Sequence, residues 1–192
     1  MVKFTFFLIY IFSISFVIVN GLVESKGYNC ETRQSLKLNK RIHGLPQKND
    51  PPFIFQFINS NGIHVKNYEV KQNYTIRIVG FSRYRGFIIQ ARAADIKGNV
   101  IGSLTEGVFM EDKLWDKLGI QYQSCSKQYP TMDSITHVND KQKYITEAKW
   151  STEREIGPIQ FIMTIAINDK VYWEKWTPLS GLIYPKQYPS HH

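Results

Sequence analysis

Short apolar segments separated by turns constrain the fold of this chain more than any other feature of its sequence. Tyr74, Ile76 and Ile78 alternate with more polar neighbours, which is the two-residue period of a strand with one buried face. The predicted strands cover residues 53–58, 74–79, 87–94, 100–101, 134–138, 143–150, 160–167 and 171–176. Seven or more short strands with turns between them predict an all-β fold, a single-domain antiparallel β-sandwich of the immunoglobulin type.

Local signals set the expected ends of these elements. Asn61 and Gly62 predict a tight turn after the first strand. We expect Gly80 to end the second strand and residues 111–118 to form one or two helical turns. In the strand at 143–150, Tyr144, Ala148 and Trp150 are expected to share one face.

The first 21 residues differ from the rest of the chain. Lys3 is the only charge there, and an apolar run over residues 4–19 is followed by small side chains. This pattern predicts a secretory signal peptide over residues 1–21, cleaved near Gly21 and Leu22. The run is shorter than the about 20 residues that a membrane-spanning helix needs. We therefore expect a secreted, extracellular protein with no membrane span, a folded domain over residues 22–177, and a loose tail over 178–192.

Export from the cell would expose the two cysteines to oxidation and an asparagine to glycosylation. Cys30 and Cys125 are the two cysteines of the chain, and thiols pair in oxidising compartments, so we expect a disulfide between them rather than two buried thiols. Asn73, followed by Tyr74 and Thr75, fits the N-glycosylation sequon and is expected to be an exposed, modified site.

The basic charge favours anionic partners. The formal net charge is +8, and loss of Lys3 with the signal peptide would leave +7. No dense block of Lys and Arg is present; the nearest to one are Lys37 with Lys40 and Arg41, Arg83 with Arg85, and Lys141 with Lys143. Anionic microbial polymers such as lipopolysaccharide are the expected partners. An exported chain meets little nucleic acid, so none is expected as a ligand; the alternative is that the charge serves solubility alone.

Enzymatic chemistry is not expected, and neither is a cofactor or a metal. His137 and Ser134 are separated by an odd number of residues, so on a strand they point to opposite faces and cannot form a nucleophile–base pair. The histidines have no metal-ligand spacing, and no phosphate-binding glycine loop or Gly-x-Ser-x-Gly elbow is present.

Polar residues on the strand at 87–94 are the best candidate site. Phe87 and Ile88 face opposite ways and are both apolar, which indicates a central strand. Gln90 and Arg92 then either build a polar network with a carboxylate or contact a ligand, and His137 is a third candidate for such a site. Trp150 and Trp173 are expected in the core, and Tyr129–Pro130 and Tyr184–Pro185 in surface loops.

Several motifs together resemble the reeler domain, and most closely the stand-alone reeler proteins known as insect defense proteins. The resemblance covers about residues 29–176 and rests on His43-Gly-Leu-Pro-Gln47, Arg85-Gly-Phe-Ile-Ile-Gln-Ala-Arg92, Cys125, Thr136-His137 and Tyr172-Trp173. It implies a role in innate immunity, with binding to microbial surfaces and antimicrobial or aggregation-promoting activity. The alternative is an extracellular matrix or adhesion module that binds a host protein or glycan.

Overall fold

The computed structural model describes residues 28–29, 36–123, 125 and 132–186. Strands dominate this part of the chain, joined by two α-helices of one turn each and one short 3-10 helix. The strands are β1 (Tyr28–Asn29), β2 (Lys37–Leu38), β3 (Phe53–Ile58), β4 (Asn67–Tyr68), β5 (Tyr74–Tyr84), β6 (Gly86–Ala94), β7 (Val100–Thr105), β8 (Val108–Met110), β9 (Ile120–Tyr122), β10 (Ser134–His137), β11 (Lys143–Ser151), β12 (Ile159–Ala166), β13 (Tyr172–Trp176) and β14 (Leu182–Pro185). The helices are α1 (Lys40–His43), α2 (Trp115–Leu118) and the 3-10 helix Leu179–Gly181.

The strands form two sheets and a two-stranded ribbon. The large sheet has the order β4-β14-β12-β6-β10-β9, with β13 also paired to β12 and β7 to β6; the small sheet has the order β3-β5-β11-β8; β1 and β2 form the ribbon. The strand pairs of the described residues are antiparallel except for β14 with β4. The predicted all-β sandwich with mainly antiparallel strands is therefore confirmed.

Aromatic side chains from both sheets fill the space between them. Phe57 of the small sheet stacks on Tyr74 with ring centroids 4.5 Å apart and also lies 5.7 Å from Phe161 of the large sheet. Trp150 has no exposed surface and meets Phe57 and Phe161 edge-on. Trp173 is 7 % exposed in the same cluster, so the prediction that these two tryptophans lie in the core is confirmed.

Trp150 is packed directly against the backbone of the turn before β8. A Cβ added to Gly107 would lie 2.3 Å from the indole ring, far inside the contact distance of two carbon atoms. Gly107 also has φ +67°, a conformation that glycine adopts without steric cost. Only a glycine therefore fits here without a shift of either the ring or the turn.

Two predicted strand details are wrong, and both fall on the small sheet. β5 continues past Gly80 to Tyr84, because Gly80 pairs with Phe53 and its missing side chain leaves room for the Ser82 carbonyl, which would lie 2.4 Å from a Cβ. In β11 the register shifts between Lys143 and Ile145. Tyr144 lies within that irregularity, is 50 % exposed and does not share the buried face of Ala148 and Trp150.

The segment expected to be a loose tail is structured as far as residue 186. It carries the 3-10 helix and β14, and Ile183 of β14 is fully buried where it pairs with Ile159. The Gln160 amide donates to the Pro178 carbonyl over 3.0 Å. Tyr184 and Pro185 accordingly lie in a strand, not in a loop. A strand this short gave too little alternation to be recognised in the sequence.

Several predictions fall outside the described residues. They are the signal peptide over residues 1–21 with its cleavage point, Cys30, Tyr129–Pro130 and the tail beyond residue 186. Among the helices that the structure describes, none is long and apolar enough to cross a membrane.

Candidate functional site

Gln90 and Arg92 lie in a buried hydrogen-bond network on the outer side of β6. The Gln90 amide donates to Ser134 Oγ and to Cys125 Sγ, each over 2.9 Å. Arg92 Nε donates to Gln90 Oε1 over 2.8 Å. The side chains meet because β10 and β7 share one edge of β6, with Ser134 opposite Gln90 and Thr105 opposite Arg92.

Asp133 supplies the carboxylate of this network. Its Oδ1 accepts from Ser134 Oγ over 3.0 Å and from the Cys125 amide over 3.3 Å, and its Oδ2 accepts from Thr105 Oγ1 over 3.3 Å. Burial lowers the pKa of the Arg92 guanidinium, and the charge of Asp133 opposes that shift. Gln90 has no exposed surface and Arg92 only 6 %, so the network stabilises the fold and presents little surface to a ligand.

His137 lies apart from this network, on the opposite face of β10. Its Nδ1 lies 3.2 Å from the Phe87 amide nitrogen and 3.1 Å from the Phe87 carbonyl oxygen. Burial lowers the pKa of the imidazole, the Lys143 charge acts in the same direction, and Asp140 opposes it. Ser134 and His137 therefore face apart as the strand period predicted, and they form no nucleophile–base pair.

Cys125 and Asn73 are the residues of the described part of the chain at which the sequence predicts a covalent modification. Cys125 packs against the cluster of Leu36, Ile88 and Ile162, and Leu36 directly precedes β2, whose partner strand β1 ends one residue before Cys30. This placement favours the Cys30–Cys125 disulfide, which stays a prediction. Asn73 is exposed at the start of β5, and its glycosylation also stays a prediction.

The described residues show no metal centre, and two cavities at their surface are small. They contain no group of three or more potential metal-ligating side chains. Two surface cavities have volumes of about 60 and about 210 Å³, below the about 300 Å³ at which small-molecule pockets begin. Neither cavity is therefore a candidate site for a small molecule.

The outer face of the small sheet carries a contiguous group of exposed apolar side chains, which we call the outer patch. Its members are Ile54, Val79, Phe81, Tyr144, Ile145 and the guanidinium of Arg83. Ile54, Val79 and Ile145 stand side by side across three strands. Phe81 is 73 % exposed and Tyr144 50 %, and large exposed apolar groups that adjoin one another mark interaction surfaces.

Arg83 is the positively charged member of the outer patch. Its guanidinium carbon lies 5.1 Å from the centroid of the Tyr144 ring, and its Nε donates to Tyr144 Oη over 2.7 Å. Its Nη1 donates to Gln142 Oε1 over 2.9 Å. Among the described residues no carboxylate pairs with Arg83, so its charge is available to an anion.

Two of the three basic groups seen in the sequence, Arg83 with Arg85 and Lys141 with Lys143, meet at this end of the small sheet. Lys143 is buried, and its ammonium donates to the carbonyls of Lys141 (2.9 Å), Asn139 (3.2 Å) and Arg85 (3.3 Å). This clamp holds the β10–β11 loop against the β5–β6 turn, which places Arg85 and Lys141 beside Arg83. Arg85 is only loosely paired, with Asp140 at 3.6 Å.

Farther along the sheet the charges are balanced. Arg77 pairs with Glu147, and Lys149 lies 3.3 Å from Asp112. The positive excess therefore lies at the Phe81 and Arg83 end of the outer patch. Sequence reasoning missed this patch, because Gly80 reads locally as the end of the strand that in the structure continues to Phe81 and Arg83.

Comparison with known proteins agrees with this architecture. The reeler domain family model matches residues 28–184. Two crystal structures of the human F-spondin reeler domain each superpose with a TM-score of 0.53. The first is 12 % identical in sequence, and the match covers 75 % of this chain and 95 % of that one. The second is 15 % identical, and the match covers 77 % of this chain and 96 % of that one. A structure of the Reelin-N domain of F-spondin gives a TM-score of 0.51 at 13 % identity, covering 75 % of this chain and 93 % of that one. Comparison with curated protein sequences finds no match. Because the family model spans most of its length, this chain belongs to the reeler domain family.

Proposed function

We propose that this protein is a secreted innate-immune defense protein that binds anionic molecules of microbial surfaces through the outer patch. The observation that carries the proposal is the exposed pair of Phe81 and Arg83, with Arg85 and Lys141 beside them. The signal-like residues 1–21, the net charge of +8 and the resemblance to stand-alone insect defense proteins support it. Antimicrobial or aggregation-promoting activity would follow from coating or cross-linking cells.

The recognition step is electrostatic in its first stage. Cations gathered at one end of a face raise the local concentration of anionic polymers and speed association. Arg83 then offers a planar fork of N–H donors, which suits the oxygens of a phosphate or carboxylate better than an ammonium does. Binding is expected to weaken as salt rises, because exposed charges are screened over about 8 Å at physiological ionic strength.

Binding of the mature protein to whole bacteria across a salt series tests the proposal. Arg83→Gln should weaken binding at low salt, because it removes from the outer patch a cation that no carboxylate of the described residues neutralises. Lys97→Gln is the matched control, because it also removes one positive charge, in this case from the exposed turn after β6. Strand β6 has nine residues, so this turn lies about 30 Å from the β5–β6 turn. Equal binding by both variants and the wild type would contradict a role for the outer patch.

An extracellular matrix or adhesion module is the second candidate function. The structural likeness to the reeler domain of human F-spondin favours it as far as the fold goes. The two functions differ in where the wild type binds. Saturable binding to host matrix or host cells that exceeds binding to bacteria, with expression that infection does not change, would place the adhesion function first.

A further inference from the structure

We infer that the ligand of the outer patch is an anionic lipid surface, which Phe81 and its apolar neighbours enter while Arg83 holds the headgroups. The inference rests on the proposed function, because it names the ligand class of the same site. The inferred ligand is an amphiphile, with apolar chains as well as an anionic headgroup, rather than a soluble polyanion. A polyanion could satisfy the cations but would leave the apolar half of the patch in water.

The apolar half of the patch is the first argument. Phe81, Tyr144, Ile145 and Ile54 are 73 %, 50 %, 45 % and 42 % exposed, and they lie on one sheet face with Val79 among them. Removing apolar surface from water is favourable in proportion to its area. The partner that completes this surface must therefore itself be apolar where it meets Phe81.

The placement of the charge is the second argument. Arg83 and Tyr144 form one unit, since the guanidinium lies over the ring and donates to its hydroxyl. Tyrosine and arginine are the side chains that settle at the boundary between headgroups and acyl chains, where an apolar stem and a polar tip are both satisfied. Arg85 and Lys141 are close to Arg83 along the chain fold, in the turn and the loop whose backbone carbonyls the Lys143 ammonium joins, and a cluster of cations suits anionic headgroups rather than neutral ones.

The shape of the site is the third argument. The outer patch lies on the open face of a sheet, across the paired strands β3, β5 and β11. A flat face with a basic margin suits an extended planar ligand better than a single small molecule. The contact is a shallow one, in which the protein lies on the surface and only side chains enter it.

Cosedimentation with vesicles tests this inference. Vesicles of phosphatidylcholine alone are compared with vesicles that contain phosphatidylglycerol, each across a salt series. The wild type should bind the anionic vesicles and retain part of that binding at high salt, because the apolar contact is not screened. Phe81→Ser should weaken binding by about tenfold or more at every salt concentration. Arg83→Gln should weaken it by about fivefold, mainly at low salt.

Matched controls come from the exposed turn after β6. Ile96→Ser alters a side chain that is 52 % exposed, and Lys97→Gln removes one charge; neither should change vesicle binding by more than about twofold if contacts at the outer patch dominate. Because Phe81 is mostly exposed, Phe81→Ser should leave the urea midpoint unchanged, so its loss of binding would not reflect unfolding.

The outcomes separate this inference from the proposed function. Vesicle binding by Phe81→Ser that equals the wild type would overturn the lipid inference. Arg83-dependent binding to bacteria without binding to anionic vesicles would also overturn it and leave the proposed function standing; if protease treatment of the cells then abolished binding, the partner would be a protein. Absence of binding to both bacteria and vesicles would overturn both.

Discussion

Replacing Gly107 with alanine tests how tightly the core is packed around Trp150. The new Cβ would stand 2.3 Å from the indole ring at a backbone φ of +67°. Overpacking costs about 1–3 kcal/mol, and the left-handed backbone costs a residue with a Cβ about 1–2 kcal/mol. We therefore expect Gly107→Ala to lower the free energy of unfolding by about 2–5 kcal/mol.

Relief of the clash would itself be costly. Moving the ring would strain the hydrogen bond from Trp150 Nε1 to the Glu106 carbonyl, which spans 3.2 Å. It would also disturb the ring contacts with Phe57, Tyr68 and Phe161. The indole is thus fixed from several sides, and the turn rather than the ring is expected to shift.

Gly62→Ala is the matched control, since Gly62 has φ +78° and a Cβ there meets nothing within 4 Å. It should cost only the backbone term of about 1–2 kcal/mol, and the entropy that alanine removes from the unfolded chain is the same in both variants. Urea unfolding followed by circular dichroism and tryptophan fluorescence gives the two values. If Gly107→Ala cost no more than Gly62→Ala, the close packing of Trp150 against this turn would be refuted as a source of stability.

Three further changes probe the core and its covalent ties. Because burial lowers the pKa of His137 below its ordinary value of 6.5 while Lys143 and Asp140 act in opposite directions, the unfolded chain binds the proton more readily, so stability should fall as pH drops through 6.5. In His137→Gln the urea midpoint should fall less between about pH 7.5 and about pH 5.5 than it does in the wild type. If the variant and the wild type showed the same pH profile, His137 would not be the group responsible. Asp133→Ala should lower the unfolding free energy by about 3 kcal/mol, because three donors lose their acceptor and the buried Arg92 charge loses a nearby opposite charge; a loss below about 1 kcal/mol would mean that water replaces the carboxylate. A non-reducing peptide map should recover Cys30 joined to Cys125, and replacing both with serine should cost about 4 kcal/mol; two alkylatable thiols in the secreted protein would disprove the pairing.

The central strands were predictable because their patterns are dictated by burial. Phe87 and Ile88 predicted a strand covered on both faces, and the structure buries Phe87 in the inter-sheet core and Ile88 in the cluster beneath Leu36. The bounds of β3 are those predicted for residues 53–58. In these strands side-chain period alone selects the face that is buried.

The details that failed depend on contacts far away in sequence. Gly80 is a stop signal when read locally, but its pairing with Phe53 carries the strand onward. The bulge that exposes Tyr144 is set by Lys143, whose ammonium is drawn inward to three backbone carbonyls. β14 is recognised only through its partners β12 and β4.

The candidate site was hidden for the same reason. Gln90 and Arg92 were correctly singled out as a polar pair, but the sequence could not place Asp133 beside them or show that Gln90 is wholly buried. The outer patch requires both that β5 passes Gly80 and that β11 contains a bulge. Neither Phe81 nor Ile145 therefore stood out before the strands were aligned.

The pairing of β14 with β12 and β4 has a consequence for synthesis from the N-terminus. Ile159 and Gln160 acquire their second neighbouring strand only when residues 182 and 183 have been made. Until then an apolar strand edge stays open, the kind of edge that invites pairing with another chain. A chain terminated before residue 182 would keep this edge of β12 open permanently, and we expect it to pair with other chains there.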